Sequence, residues 1–88
     1  MARKKKVTFS FNAPEAREVK LAGSFTGWQS GAIIMNKGRA GVWKADVTLE
    51  PGEYEYKFLA DGNWQNDPAA DAQQRNDQGI ENSVRRVA

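Results

Sequence analysis

Eighty-eight residues suffice for one modest hydrophobic core and are too few for a second. With 40% apolar, 27% charged and 10% aromatic residues, the composition is that of a folded globular domain and not of a disordered chain. Cysteine and histidine are both absent. That excludes a disulfide framework and a thiolate nucleophile, and removes the commonest general base and metal ligand, so neither metal nor cofactor is expected.

No apolar run approaches the roughly 18 residues needed to cross a bilayer, so no membrane partner is expected. The formal net charge is +2, from 13 basic and 11 acidic residues. Arg3, Lys4, Lys5 and Lys6 supply four of the 13, leaving nine against 11 for the remainder. The basicity is terminal, and it lacks the interleaved aromatics on which single-stranded nucleic acid stacks; this argues against a nucleic-acid partner. Residues 1–6 are expected to form a basic tail and residues 7–88 a single domain. MARKKK leads into an alternating segment instead of a continuous apolar stretch, so a secretory signal is not expected and the chain reads as cytoplasmic.

The elements then follow as short alternating runs separated by turn residues. VTFSF places Val7, Phe9 and Phe11 on one side and Thr8 and Ser10 on the other. EVKLAGSF places Val19, Leu21, Gly23 and Phe25 on one parity, followed by a TGW turn. AIIM is a brief apolar run ended by Asn36, Lys37 and Gly38. VWKADVTL carries Trp43, Ala45, Val47 and Leu49 on one face, which makes Trp43 a core residue. After the Pro51-Gly52 turn, EYEYKFL carries Tyr54, Tyr56 and Phe58 on one face, and the last run is IENSVRRV. Strands of this length with no intervening helix predict an antiparallel β-sandwich whose sheets each have one buried and one wet face; a small barrel shares the pattern.

Asp61-Gly62 signals a two-residue hairpin, because a type I′ turn needs positive φ at both positions. That turn pairs Ala60 with Asn63, Leu59 with Trp64 and Phe58 with Gln65. Directly paired residues share a face, so Trp64 falls with Leu59 and Lys57, opposite the Tyr54, Tyr56 and Phe58 core. A slip of a single residue would reverse the assignment. Trp28, after Thr26-Gly27, likewise lies outside the alternation of its strand. Either tryptophan alone reads equally as an indole folded over a sandwich edge. Together, and beside an outward lysine, they point to a recognition surface.

Flat apolar rings flanked by donors suit a pyranose. Its C–H face meets the π-cloud, and by analogy with aromatic pairs each stack is worth about 0.5–1.5 kcal/mol beyond area burial. Lysine and amide side chains then read the hydroxyl rim at about 0.5–1.5 kcal/mol per hydrogen bond. Asn82, in the final ENS, offers such an amide, although its spacing reads equally as a strand-end residue bonding its own backbone.

The order SFTGW (24–28), MNK (35–37), VWKADVTLEPGEYEYKF (42–58), DGNWQNDP (61–68) and GIENSV (79–84) closely resembles carbohydrate-binding module family 48. That family includes the glycogen-binding domain of the AMP-activated protein kinase β subunit and the N-terminal domains of branching and debranching enzymes. The resemblance spans about Val7 to Val87. It implies an early-set, immunoglobulin-like sandwich that binds α-1,4-glucans such as glycogen, starch or maltooligosaccharides without catalysis. It also implies the site. Trp28 and Trp64 would form the aromatic platform, and Lys57 and Asn82 would hydrogen-bond glucose hydroxyls. The chain departs from the kinase-subunit pattern at Gln78 and Ile80, where that form has leucine and threonine.

An enzyme reading would draw on Asp61, Asp67, Asp71 and Asp77 as glycosidase carboxylates, which need separations of about 5 or 6.5–9.5 Å across a cleft. The hairpin already accounts for Asp61 and the turn before Pro68 for Asp67, so catalysis is not expected. The alternative to glycan binding is an interaction module that docks to a catalytic or regulatory protein partner.

Overall fold

The described residues, 4–88 of the chain in a computed structural model, form nine strands: β1 (Lys5–Asn12), β2 (Val19–Gly23), β3 (Ile33–Ile34), β4 (Asn36–Lys37), β5 (Val42–Leu49), β6 (Gly52–Ala60), β7 (Asn63–Gln65), β8 (Ala72–Arg75) and β9 (Glu81–Val87). They make the expected sandwich of two antiparallel sheets. One sheet has the order β1-β5-β4; the other runs β3-β2-β6-β9-β8, with β7 also paired to β6.

Alternation in β1 and β5 builds the first inner face. The two strands pair from Lys5 opposite Leu49 to Asn12 opposite Val42, which buries Val7, Phe9, Trp43, Ala45 and Leu49. Trp43 is a core residue, as its phase predicts, and its indole N–H donates to the Ala13 carbonyl at 2.9 Å. The second inner face comes from Val19 and Leu21 of β2 and Tyr56 and Phe58 of β6, all without exposed surface. Phe9 bridges the layers, edge-to-face with Tyr56 at 4.9 Å and stacked on Phe25 at 5.5 Å.

Three features depart from the sequence reading. The AIIM run is not one strand. It divides at Met35, so that β3 pairs with β2 in one sheet and β4 with β5 in the other, with Met35 2% exposed at the crossing. The polar stretch Ala72–Arg75 forms β8, an edge strand with no apolar alternation to announce it. Of the basic run, Lys5 and Lys6 extend β1 opposite Leu49 and Thr48, while residues 1–3 lie outside the described part.

Asp67 is buried at 6% exposure, joining the core to the loop after β7. The Tyr56 hydroxyl donates to its Oδ2 at 2.6 Å, and the Ala69 N–H to its Oδ1 at 2.9 Å. Its own N–H donates to Ser83 Oγ at 2.7 Å. Burial first, and then the hydrogen bond and charge of Asp67, push the Tyr56 phenol well above its ordinary range. By linkage, this stabilisation is complete below the unfolded-state value of about 10 and is lost as the pH rises toward the raised folded value. Native-state ultraviolet titrations of the wild type and Tyr56→Phe are therefore expected to superimpose up to about pH 11, because the deleted phenol does not ionise there. A titration curve reduced by one tyrosine in the variant would contradict this.

Candidate functional site

The outward face of the larger sheet carries the residues of interest, and β6 organises it. Asp61 and Gly62 both have left-handed backbones, with φ of 49° and 83°, as the two-residue turn requires. The register is the expected one: Phe58 opposite Gln65, Leu59 opposite Trp64, Ala60 opposite Asn63. The Asp61 carboxylate accepts the N–H groups of Arg17 and Glu18 at 2.9–3.1 Å, which ties the hairpin to the approach to β2. Asp61 therefore has a structural task beyond the turn itself.

Trp64 is 44% exposed, on the face it shares with Leu59. Lys57, two residues before Leu59, is half-buried on that face opposite Ala22 of β2. Farther along the flank of β6, β9 pairs Ser83 with Tyr56 on the inner face. Asn82, one residue earlier, therefore points outward beside Lys57. Asn82 is 6% exposed and its amide nitrogen donates to Glu55 Oε1 at 3.1 Å. The Asn82 amide nitrogen is thus engaged with a side chain of the neighbouring strand. The bond uses one of the two amide hydrogens and fixes the plane of the group.

Trp28 reaches the same region from the loop after β2. Gly27 and Trp28 are both left-handed, with φ of 71° and 60°, and open a 3₁₀ turn over Trp28–Gly31. For tryptophan this conformation costs of order 1–3 kcal/mol, and it persists only where its surroundings dictate it. Thr26 provides that constraint. Its hydroxyl accepts the Gly23 N–H at 3.0 Å and lies 2.9 Å from the Trp28 carbonyl. A Cβ at Gly31 would collide with the Thr26 carbonyl oxygen, so only glycine closes the turn this tightly.

Trp28, Lys57, Trp64 and Asn82 thus converge on one cavity of about 450 Å³, whose remaining lining residues are Asn76 and Ile80. Ile80 is 46% exposed. Ile80 is one of the departures from the kinase-subunit pattern, and Asn76 lies outside the motif. The signal for Asn76 was there in NDQG, an asparagine three residues before a glycine, which marks a side-chain-closed turn. The cavity presents two indoles and an isoleucine against one ammonium and two carboxamides, and none of the six lining residues has a carboxylate. Of the acids considered above, Asp61 and Asp67 are held in the bonds already described, and Asp71 accepts the Arg86 N–H at 2.7 Å. The arrangement offers flat apolar surfaces ringed by hydrogen-bond donors.

The family model for the glycogen recognition site of AMP-activated protein kinase matches residues 5–88. The chloroplastic protein FLOURY ENDOSPERM 6 of Oryza sativa subsp. japonica is 47% identical over 53 residues, which is 60% of this chain and 10% of that protein. The chloroplastic phosphoglucan phosphatase LSF1 of Arabidopsis thaliana is 35% identical over 79 residues, 89% of this chain and 13% of that protein. The 5′-AMP-activated protein kinase subunit beta-1 of Sus scrofa is 38% identical over 53 residues, 60% of this chain and 41% of that protein. The chain thus spans about a tenth of the length of the two plant relatives.

The expectation of a cytoplasmic protein is corrected here, since both plant relatives are named as chloroplastic. With the match running from residue 5 to residue 88, the chain belongs to the glycogen-recognition family of AMP-activated protein kinase, within carbohydrate-binding module family 48.

Proposed function

We propose that the domain binds α-1,4-glucans, such as glycogen, starch or maltooligosaccharides, without catalysis. The observation that carries the reading is the convergence of Trp28 and Trp64 with Lys57, Asn82 and Asn76 around one cavity. Its volume of about 450 Å³ falls within the usual range for small-ligand sites. The indoles supply stacking faces for sugar rings, and the ammonium and amides meet hydroxyl oxygens. A non-catalytic role is supported by a lining without a carboxylate, which leaves no acid–base pair at the ligand. Few contacts and the entropy of association make binding to a short oligosaccharide weak, with strength regained on a polymer through repeated sites.

Titration with maltoheptaose or β-cyclodextrin is expected to change the tryptophan fluorescence saturably and with little dependence on salt, because one ammonium is the only formal charge on the lining. Incubation with maltoheptaose is expected to release no shorter sugar. A flat titration would sink the glucan reading. The second reading, docking to a catalytic or regulatory protein, draws on the relatives: in each, the matched segment is a minor part of a longer protein, one of them a kinase subunit. A flat glucan titration would leave that reading standing.

A further inference from the structure

Asn76 lines the cavity beside the indoles, yet its side-chain oxygen is engaged elsewhere. Oδ1 accepts the backbone N–H of Gln78 at 2.9 Å and of Ile80 at 3.0 Å, filling both lone pairs. Only an oxygen can accept two N–H groups, so these bonds also settle which end of the amide is which. The main chain closes the same turn, with the Asn76 N–H donating to the Ile80 carbonyl at 2.9 Å and the Gly79 N–H to the Asn76 carbonyl at 3.0 Å. Gly79 has a φ of 77° and a Cβ there would meet nothing within 4 Å, so it is the left-handed backbone that favours glycine at this position. The turn between β8 and β9 is therefore held together internally, without the two hydrogens on Asn76 Nδ2. Those hydrogens belong to an exposed residue on the wall of the cavity.

We infer that Asn76 is a ligand-reading residue as well as the pin of the 76–80 turn: Oδ1 holds the hairpin while Nδ2 donates to a hydroxyl oxygen on the rim of the bound sugar. The inference rests on the glucan reading of the cavity. It adds a third donor group to Lys57 and Asn82, on a loop whose shape is set before the ligand arrives. A donor pre-aligned in this way loses little entropy on binding and discriminates against a sugar lacking the matching hydroxyl.

The test separates pinning from reading. Serine at position 76 can still accept a backbone N–H in the same kind of turn, but it is too short to reach the ligand. Asn76→Ser is expected to weaken maltoheptaose binding roughly three- to tenfold, while the Gln78 and Ile80 amides keep their protection from hydrogen exchange. Affinity equal to wild type would overturn the inference. A second measurement holds even if the variant loses the turn. In the wild-type protein labelled with ¹⁵N, the Asn76 side-chain NH₂ resonances are expected to shift on adding maltoheptaose, together with the Trp64 indole N–H. A Trp64 shift without an Asn76 shift overturns the role of Asn76 alone. Neither resonance shifting overturns the glucan reading and the Asn76 role together.

Discussion

Trp64→Ala is expected to weaken maltoheptaose binding by about 2 kcal/mol, or roughly thirtyfold in Kd, while shifting the unfolding free energy by less than about 1 kcal/mol. Both halves follow from where the indole sits. Its ring is 44% exposed and belongs to none of the core contacts, so its removal opens no interior cavity. What is lost is the stacking face and the apolar area that a sugar would cover. Trp64→Phe keeps a smaller ring and is expected to fall between the two. Isothermal titration calorimetry on the three proteins, with thermal unfolding run in parallel, checks the pattern. Unchanged affinity in Trp64→Ala would remove the aromatic platform from the mechanism, whatever the wild type binds.

The largest expected effect on stability lies on the other side of the same sheet. Asp67→Ala is expected to cost about 3 kcal/mol, because it strips the acceptor from the buried Tyr56 hydroxyl and from the Ala69 N–H together. The orphaned phenol carries most of that penalty, because it has no exposed surface from which to reach water, whereas Ala69 is exposed. In a domain of this size that corresponds to a thermal midpoint lower by roughly 15 °C. Asp67→Asn keeps one acceptor oxygen and is expected to cost about half as much. Urea unfolding with an unchanged slope would attribute the loss to the folded state. A loss below about 1 kcal/mol in Asp67→Ala would mean that the phenol finds another partner.

The sandwich was legible because alternation is a strong signal in strands buried on one face. Val7 with Phe9, Trp43 with Ala45, and Tyr56 with Phe58 all point inward as their parity predicts. The Asp61-Gly62 turn was equally legible, since positive φ at both positions restricts the residues that can occupy it, and the pairing of Leu59 with Trp64 followed. The convergence of Trp28, Lys57, Trp64 and Asn82 was expected from the motif, because parity could place only Trp64 and Lys57 on a common face. β8 was hidden because AQQR has no apolar member beyond Ala72 and owes its strand form to backbone pairing with β9. The division of AIIM at Met35 was hidden because both sheets accept the same short apolar residues, and no local signal marks a change of partner. In the sequence, Asp67 has the local signature of a turn residue before Pro68. Its burial depends on Tyr56 and Ser83, 11 and 16 positions away, which no local pattern reports.

The placement of the β8–β9 hairpin bears on how such a domain can diverge. Between Pro68 and Ile80 only Ala70 packs against the interior, while two of the six cavity-lining residues, Asn76 and Ile80, come from that segment. The inward residues Ser83 and Val87 of β9 lie beyond it. A substitution at Ile80 therefore leaves the interior untouched and revises the cavity wall. Descendants of one ancestor could keep the same indoles and the same core and still come to prefer different chain lengths or branch points. In this fold, part of the candidate site is built at the margin of a sheet, apart from the core.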